Sequence, residues 1–195
     1  MTKIDGLNYL LSNCFPTVEL LCIEDLVNNP NLLKDGISVR LSSKHENDKV
    51  DVYLKSIHNV HDLEKIKDFI LNYKDNYNII IHKTVKPELI GTVSKYSNLY
   101  NDIIVMEVYK NFDDRTHGIV GFRTIVEMVD NRIMSISDND PISKTLFRKI
   151  MNYISDVYYD EYTFEFVIEK TKLIFTDFYS KDLKKKSYLK RAITK

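Results

Sequence analysis

The chain has 195 residues, is 44% apolar, and carries 28 basic against 28 acidic side chains, so its formal net charge is zero. That length and composition suit one substantial core or two small lobes. No apolar run approaches the ~20 residues that a membrane-spanning helix needs, and the opening Met-Thr-Lys-Ile-Asp-Gly lacks the basic segment and apolar stretch of a secretory leader. A cytoplasmic location without membrane contact is the expectation.

In chain order, the sequence predicts a short helix over Gly6–Asn13, an Asn-Cys-Phe-Pro turn and a strand over Val18–Ile23. A helix from Glu24 ends before Pro30, and Lys34-Asp35-Gly36 turns the chain into a strand over Ile37–Leu41. A polar loop, Ser42–Lys49, leads to a strand over Val50–Ser56. His61–Tyr73 then reads as an amphipathic helix, with Leu63, Ile66, Phe69 and Ile70 at helical spacing. Residues 1–75 are expected to form an N-terminal α/β lobe. Cys14 and Cys22 make neither a disulfide framework nor a metal knuckle, and their apolar neighbours predict that both pack in the core. His58 and His61 lack the third ligand that a zinc site would need.

The character changes at Asn76. Four strand-like runs, Asn78–His82, Ile90–Tyr96, Asp102–Val108 and Gly118–Met128, suggest an antiparallel meander, with a further strand at Arg132–Ile136. Asp140-Pro141 starts a helix whose stripe runs through Leu146, Ile150, Tyr153, Ile154 and Val157. Residues 76–180 are expected to form a C-terminal antiparallel lobe closed by a hairpin. Residues 181–195 form a basic tail with seven Lys or Arg against one Asp, which leaves 21 bases and 27 acids in the body. No basic stripe interleaved with aromatics accompanies the tail, so nucleic acid is not the expected partner.

The hairpin Tyr162–Tyr179 carries the most informative pair. With Lys170, Thr171 and Lys172 as a three-residue loop, residue 169 faces 173, 167 faces 175, and Glu165 faces Asp177. Like charges directly opposite each other are unfavourable in a sheet, so the pair calls for a divalent metal, a nearby Lys or Arg, or open solvent.

This hairpin resembles the end of the ATP-grasp nucleotide-binding domain of phosphoenolpyruvate synthase and pyruvate phosphate dikinase. Thr163-Phe164-Glu165-Phe166 is similar to that family's Asp-Ile-Glu-Trp strand, and Thr176-Asp177-Phe178-Tyr179-Ser180 stands where it has Leu-Gln-x-Arg-Pro. Upstream, Lys3, Leu7, Leu10, Phe15, Pro16 and Val18 resemble its opening motif. Val39-Arg40-Leu41-Ser42-Ser43-Lys44-His45-Glu46-Asn47-Asp48 resembles Val-Arg-Ser-Ser-Ala-x-x-Glu-Asp. Ile79-Ile80-Ile81-His82 is similar to a Val-Val-Val-Gln strand, Gly91-Thr92-Val93 stands for Ser-Gly-Val, and Ile103-Ile104-Val105-Met106-Glu107 resembles a strand ending in an acid near the nucleotide.

The resemblance implies an α+β, ATP-grasp-like fold of two small lobes with a largely antiparallel sheet and a nucleotide cleft between them. It implies ATP and Mg2+ as cofactors, with Lys3 and Arg40 on the phosphates, Glu165 and Asp177 on magnesium, and His82 and Glu107 near the nucleotide. Those residue types suit the chemistry, because a triphosphate needs cations from several directions and a hard metal bridging its oxygens. The implied activity is that of a phosphotransferase or ligase acting on an unidentified acceptor, with a protein partner supplying the acceptor or a phosphohistidine domain. The alternative is a catalytically degenerate relative that serves as a regulatory or interaction module. Two departures favour it: only Lys49–Val52 separates Asp48 from Tyr53 where the family has a Gly-containing phosphate loop, and Tyr179-Ser180 replaces Arg-Pro.

Overall fold

A computed structural model describes residues 1–45, 53–57, 62–97, 102–129, 132–136, 141–157, 159 and 161–180. The expectations for the phosphate loop at Lys49–Val52, for His58 and His61, and for the basic tail lie outside the described residues. The chain builds two antiparallel sheets, each over its own apolar cluster.

The smaller sheet has the order β1-β4-β2-β3, from β1 (Leu20–Leu21), β2 (Ile37–Ser43), β3 (Tyr53–Ile57) and β4 (Tyr77–Lys83). The alternation of β2 sends Ile37, Val39 and Leu41 into a cluster with Ile81 of β4 and with Ile66 and Phe69 of α3 (Leu63–Tyr73). Ser38, Arg40 and Ser42 therefore point to the opposite face, as period-two alternation requires. The sequence places the run at β4 at the start of the meander, but it joins the smaller sheet instead. Its Ile81 completes the cluster under α3, and its backbone pairs with β2 from Ile37↔Lys83 to Ser43↔Tyr77.

The larger sheet has the order β10-β9-β5-β6-β7-β8. Its strands are β5 (Leu89–Ser97), β6 (Asp102–Tyr109), β7 (Phe122–Val129), β8 (Arg132–Ile136), β9 (Tyr162–Glu169) and β10 (Lys172–Ser180). One face buries Val93, Met106, Phe164, Phe166 and Phe178 against Leu146, Phe147, Ile150 and Ile154 of α5 (Pro141–Ile154) and against Leu7 and Leu10 of α1 (Lys3–Ser12). Each buried phenylalanine contributes roughly 1.5–3 kcal/mol of transfer free energy. Tyr153, expected in the α5 stripe, is 37% exposed, although its ring still meets Phe15 and Phe175.

Helix α1 begins earlier than its apolar spacing suggests, because Thr2 and Asp5 form a reciprocal cap: the Thr2 hydroxyl accepts from Asp5 N, and Asp5 accepts from Thr2 N at 2.8 Å. The segment after α1 covers the outer edges of both sheets. Phe175 N donates to Pro16 O at 2.7 Å, the Thr17 hydroxyl donates to Phe175 O, and Lys83 N donates to Glu19 O. That route limits the expected Val18–Ile23 strand to two residues. Phe15 packs against Phe164 and Phe175, so the Phe15-Pro16 turn is a structural element.

The cysteines correct the sequence expectation, since both are exposed. Cys14 sits in the turn after α1 with φ 58°, and Cys22 caps α2 (Ile23–Asn28), its N–H donating to Asp25 at 2.7 Å. Turn and cap geometry outweigh the modest hydrophobicity of a thiol at these positions. No described helix is long and apolar enough to cross a membrane.

Candidate functional site

Five strands of the larger sheet bring a row of side chains into register: Asp177 opposite Glu165, Glu165 opposite Thr92, Thr92 opposite Glu107, and Glu107 opposite Arg123. Strand alternation puts this row on the face away from α5. Thr92, Glu107 and Asp177 are buried. Three carboxylates on one row carry a strong local field, which the surrounding cations and hydroxyls offset.

The pairing of Glu165 with Asp177 occurs as expected, but the route to it differs. The loop has two residues, Lys170 and Thr171, with φ of 46° and 70°, so Glu169 pairs with Lys172. That register would leave Glu165 opposite Thr176. A bulge between Phe175 and Asp177 inserts one residue into β10 and restores the pair.

Asp177 is 2% exposed, and its carboxyl is pushed up to about 6, first by burial and then by the charge of Glu165. The Tyr179 hydroxyl donates to Asp177 Oδ2 at 2.5 Å and lies 3.5 Å from Glu165 Oε1. Phe178 N donates to Asp177 Oδ1 at 3.0 Å. Burial and the two carboxylates raise the Tyr179 phenol well above its ordinary range, so it remains a donor at any physiological pH. Glu165 is held by Arg115: Nη1 donates to Oε2 at 3.1 Å, and Nη2 donates to Oε1. Of the compensations open to this pair, an arginine is therefore in place on Glu165.

Lys3 opens α1, and its Nζ lies 3.9 Å from Asp177 Oδ2. Two contacts hold that end of the helix against both sheets. Ile4 N donates to the Ser42 hydroxyl of β2 at 3.3 Å, and Gly6 lies so close to β10 that a Cβ there would stand 2.3 Å from Phe178 O. Tyr9 stacks on Phe178 with ring centres 4.1 Å apart. Arg40 is half-buried on the same face of β2 as Ser42, and its positive charge is felt at both Asp177 and His82.

Glu107 lies in an interior strand and is 7% exposed. Arg123 donates to its Oε1 through Nε at 2.9 Å and Nη2 at 2.6 Å, and the Tyr109 hydroxyl donates to Oε2 at 2.9 Å. His82 is likewise buried, opposite Ser38 in β2. Burial lowers the proton affinity of its ring, so the ring is neutral at pH 7.

The sequence offers Arg115, Arg123 and Arg132 as further cations, and no matched motif assigns any of them a role. Arg115 belongs to α4 (Phe112–His117), which the sequence reading absorbs into the approach to β7. A signal was present: Asn111 caps the helix by accepting from Asp114 N at 2.8 Å, and Gly118 ends it at φ 70°. The helix is too short and polar to show apolar periodicity.

The donor set fits a magnesium ion. Magnesium commonly takes one or two carboxylates and completes its shell with water and substrate phosphate, and such an ion would offset both the burial of Asp177 and the charge of Glu165 beside it. Among the described residues, no group of three or more His, Cys, Asp or Glu assembles as a metal cage.

No protein-family profile and no curated protein matches the chain. Solved structures do. Dinucleotide-forming acetyl-coenzyme A synthetase 1 of Ca. Korarchaeum cryptofilum, in complex with coenzyme A, acetyl-coenzyme A and a phosphorylated phosphohistidine segment, superposes with TM-score 0.56 at 11% identity, over 91% of each chain. N5-carboxyaminoimidazole synthetase of Staphylococcus aureus, complexed with ADP, gives TM-score 0.55 at 11% identity, over 96% of this chain and 46% of that one. ATP citrate lyase of Methanothrix soehngenii, in complex with citrate and coenzyme A, gives 0.55 at 12%, over 90% and 45%. The protein has an α+β fold with antiparallel sheets, similar to ATP-grasp domains.

Proposed function

We propose that this protein binds a magnesium nucleotide over the row formed by Asp177, Glu165 and Glu107, in the manner of an ATP-grasp domain. The observation that supports this most is the Glu165–Asp177 pair, in which Asp177 is buried, with Lys3 beside it and the charge of Arg40 reaching it. Glu165 and Asp177 would hold the metal, while Lys3 as a mobile point charge and Arg40 as a planar fork would contact phosphate oxygens. Magnesium would neutralise the phosphate charge and polarise the transferred group. Catalysis would then be phosphotransfer or ligation onto an acceptor, and the unphosphorylated histidine of a segment like the phosphohistidine segment in the acetyl-coenzyme A synthetase structure is one form that acceptor could take, receiving the phosphoryl group as ADP leaves. The narrower kinship with phosphoenolpyruvate synthase rests on the collinear motifs alone.

A second reading has its own support. Arg115 already occupies both oxygens of Glu165, and Arg123 holds Glu107. A relative that has exchanged its metal for arginines would keep the fold as a regulatory or interaction module.

Titration with ATP, with and without magnesium, followed by calorimetry and thermal unfolding, separates the two. A ligand that binds only the folded chain raises the melting temperature by mass action. The nucleotide reading expects saturable, magnesium-dependent binding that Glu165→Gln and Asp177→Asn abolish. An unmoved melting curve at millimolar nucleotide and magnesium would leave the module reading standing.

A further inference from the structure

The chain passes between its two sheets by two short crossings that share a cavity. In the first, Pro16 and Thr17 are bonded to Phe175 of the larger sheet, whereas Glu19 O accepts from Lys83 N of the smaller one. That crossing changes sheet at Val18. In the second, Thr84 N donates to Gly36 O at 2.8 Å and its hydroxyl engages Ser38, whereas Lys86 N donates to Glu169 Oε1 at 2.8 Å. This one changes sheet at Val85. Val18 and Val85 both line a cavity of about 620 Å³, within the roughly 300–1,000 Å³ typical of small-ligand sites. Lys149 and Tyr153 of α5 also line it, while no member of the carboxylate row does.

The two walls of the cavity differ in charge. On the side of the smaller sheet, Glu19 and Asp35 face a single base, Lys83, whose Nζ lies 2.7 Å from Glu19 Oε2. On the side of the larger sheet and α5, Lys149 and Lys172 face a single acid, Glu169. The first wall therefore has an acid in excess and the second a base. Glu169 already accepts the Lys86 N–H, and the Lys149 ammonium reaches only a carbonyl, Thr171 O at 3.2 Å. Between the charged groups, Val18, Val85, Leu173 and Ile174 supply an apolar floor.

We infer that this cavity binds a short unblocked peptide, its ammonium end on the Glu19–Asp35 wall, its carboxylate end on the Lys149–Lys172 wall, and its middle over Val18, Val85 and Leu173. A simple anion or cation complements one wall only, and a neutral ligand complements neither. An unblocked peptide is a zwitterion whose end charges are held apart, and three extended residues span about 10 Å. Each wall belongs to a different sheet, so a ligand that meets both ties the sheets together at their crossings. The assignment does not depend on nucleotide binding.

The test uses trialanine as the probe, titrated into the full chain by calorimetry at low ionic strength, where exposed charges are least screened. Saturable binding is expected, weakened about fivefold by N-acetylation of the probe and about fivefold by amidation of its carboxylate. Asp35→Lys and Lys172→Glu should each weaken trialanine, because each removes the charge excess of one wall. The double variant exchanges the two walls, so trialanine should bind it reversed and recover much of its affinity, which a merely damaged fold would not allow. No saturable binding at millimolar trialanine overturns the assignment. Capped probes that bind as tightly as trialanine overturn it as well, and so does a double variant as weak as the single ones.

Discussion

Arg115 reaches from α4 to both carboxylate oxygens of Glu165, 50 residues further along the chain, so a helix of six residues supplies the cation for the hairpin acid. Both side chains are mostly buried, at 22% and 14% exposure. Pairs of this kind add modest net stability while intact, yet removing one partner strands the other charge.

Arg115→Leu is therefore expected to destabilise the fold by about 2–4 kcal/mol, measured by denaturant unfolding without metal. Arg115→Leu combined with Glu165→Leu should recover much of the loss, because the stranded charge goes with it. If Glu165 and Asp177 are metal ligands, magnesium should stabilise Arg115→Leu more than the wild-type protein. Indifference to magnesium would favour the module reading.

Asp177 gives a pH signature whose sign follows from its environment. Its carboxyl is raised from 3.8 to about 6, so between those values the folded chain holds a proton that the unfolded chain has lost. The stabilisation from this group is full at acidic pH and fades as pH rises through about 6. Glu165 strengthens the effect, while Lys3, Tyr179 and Arg40 oppose it. Asp177→Asn should flatten the dependence and raise stability at pH 7.5 by on the order of 2 kcal/mol. A wild-type protein that gains stability from pH 4.5 to 7 with the same slope as Asp177→Asn would contradict the assignment.

Gly6 sets two local effects against each other. Alanine is the better helix former by about 1 kcal/mol, but its Cβ would stand 2.3 Å from the backbone oxygen of Phe178 and 3.1 Å from Asp177 Oδ1. Backbone cannot step aside as a flexible side chain can, so the clash should win. Gly6→Ala is expected to lower the melting temperature and, by lifting the start of α1, to weaken nucleotide binding through Lys3. Calorimetry on the folded variant reads the second effect.

The hairpin turn offers a gain. Lys170 and Thr171 both occupy the left-handed region, which a β-branched residue tolerates poorly. Replacing them with Asn-Gly should stabilise the protein by about 1 kcal/mol, visible as a raised midpoint in urea. An unchanged midpoint would mean that the turn contributes no strain.

Much of the strand pattern was legible because alternation is a local property. β8 runs over Arg132–Ile136 as its sequence suggests, and the runs at β5 and β6 are found within a residue or two of their expected ends. The hairpin pair was legible as a pair, but not its route, since neither a bulge nor a two-residue turn lacking glycine leaves a clear signature. β4 reads identically as a strand of either sheet, and its membership follows from the apolar cluster that needs Ile81.

The sequence by itself determined the acids of the site and their neighbourhood: hydrophobic alternation fixes which face a residue takes, and a hairpin brings residues close in sequence opposite each other. It also carried the collinear motifs that imply Lys3, Arg40, His82 and Glu107. Tertiary structure alone decided which cation meets which acid. Arg115 meets Glu165, Arg123 meets Glu107 and Lys3 meets Asp177 because α4, β7 and α1 dock where they do. Ion pairing depends on distance in space, and the separation between partners in sequence leaves no periodic trace to read.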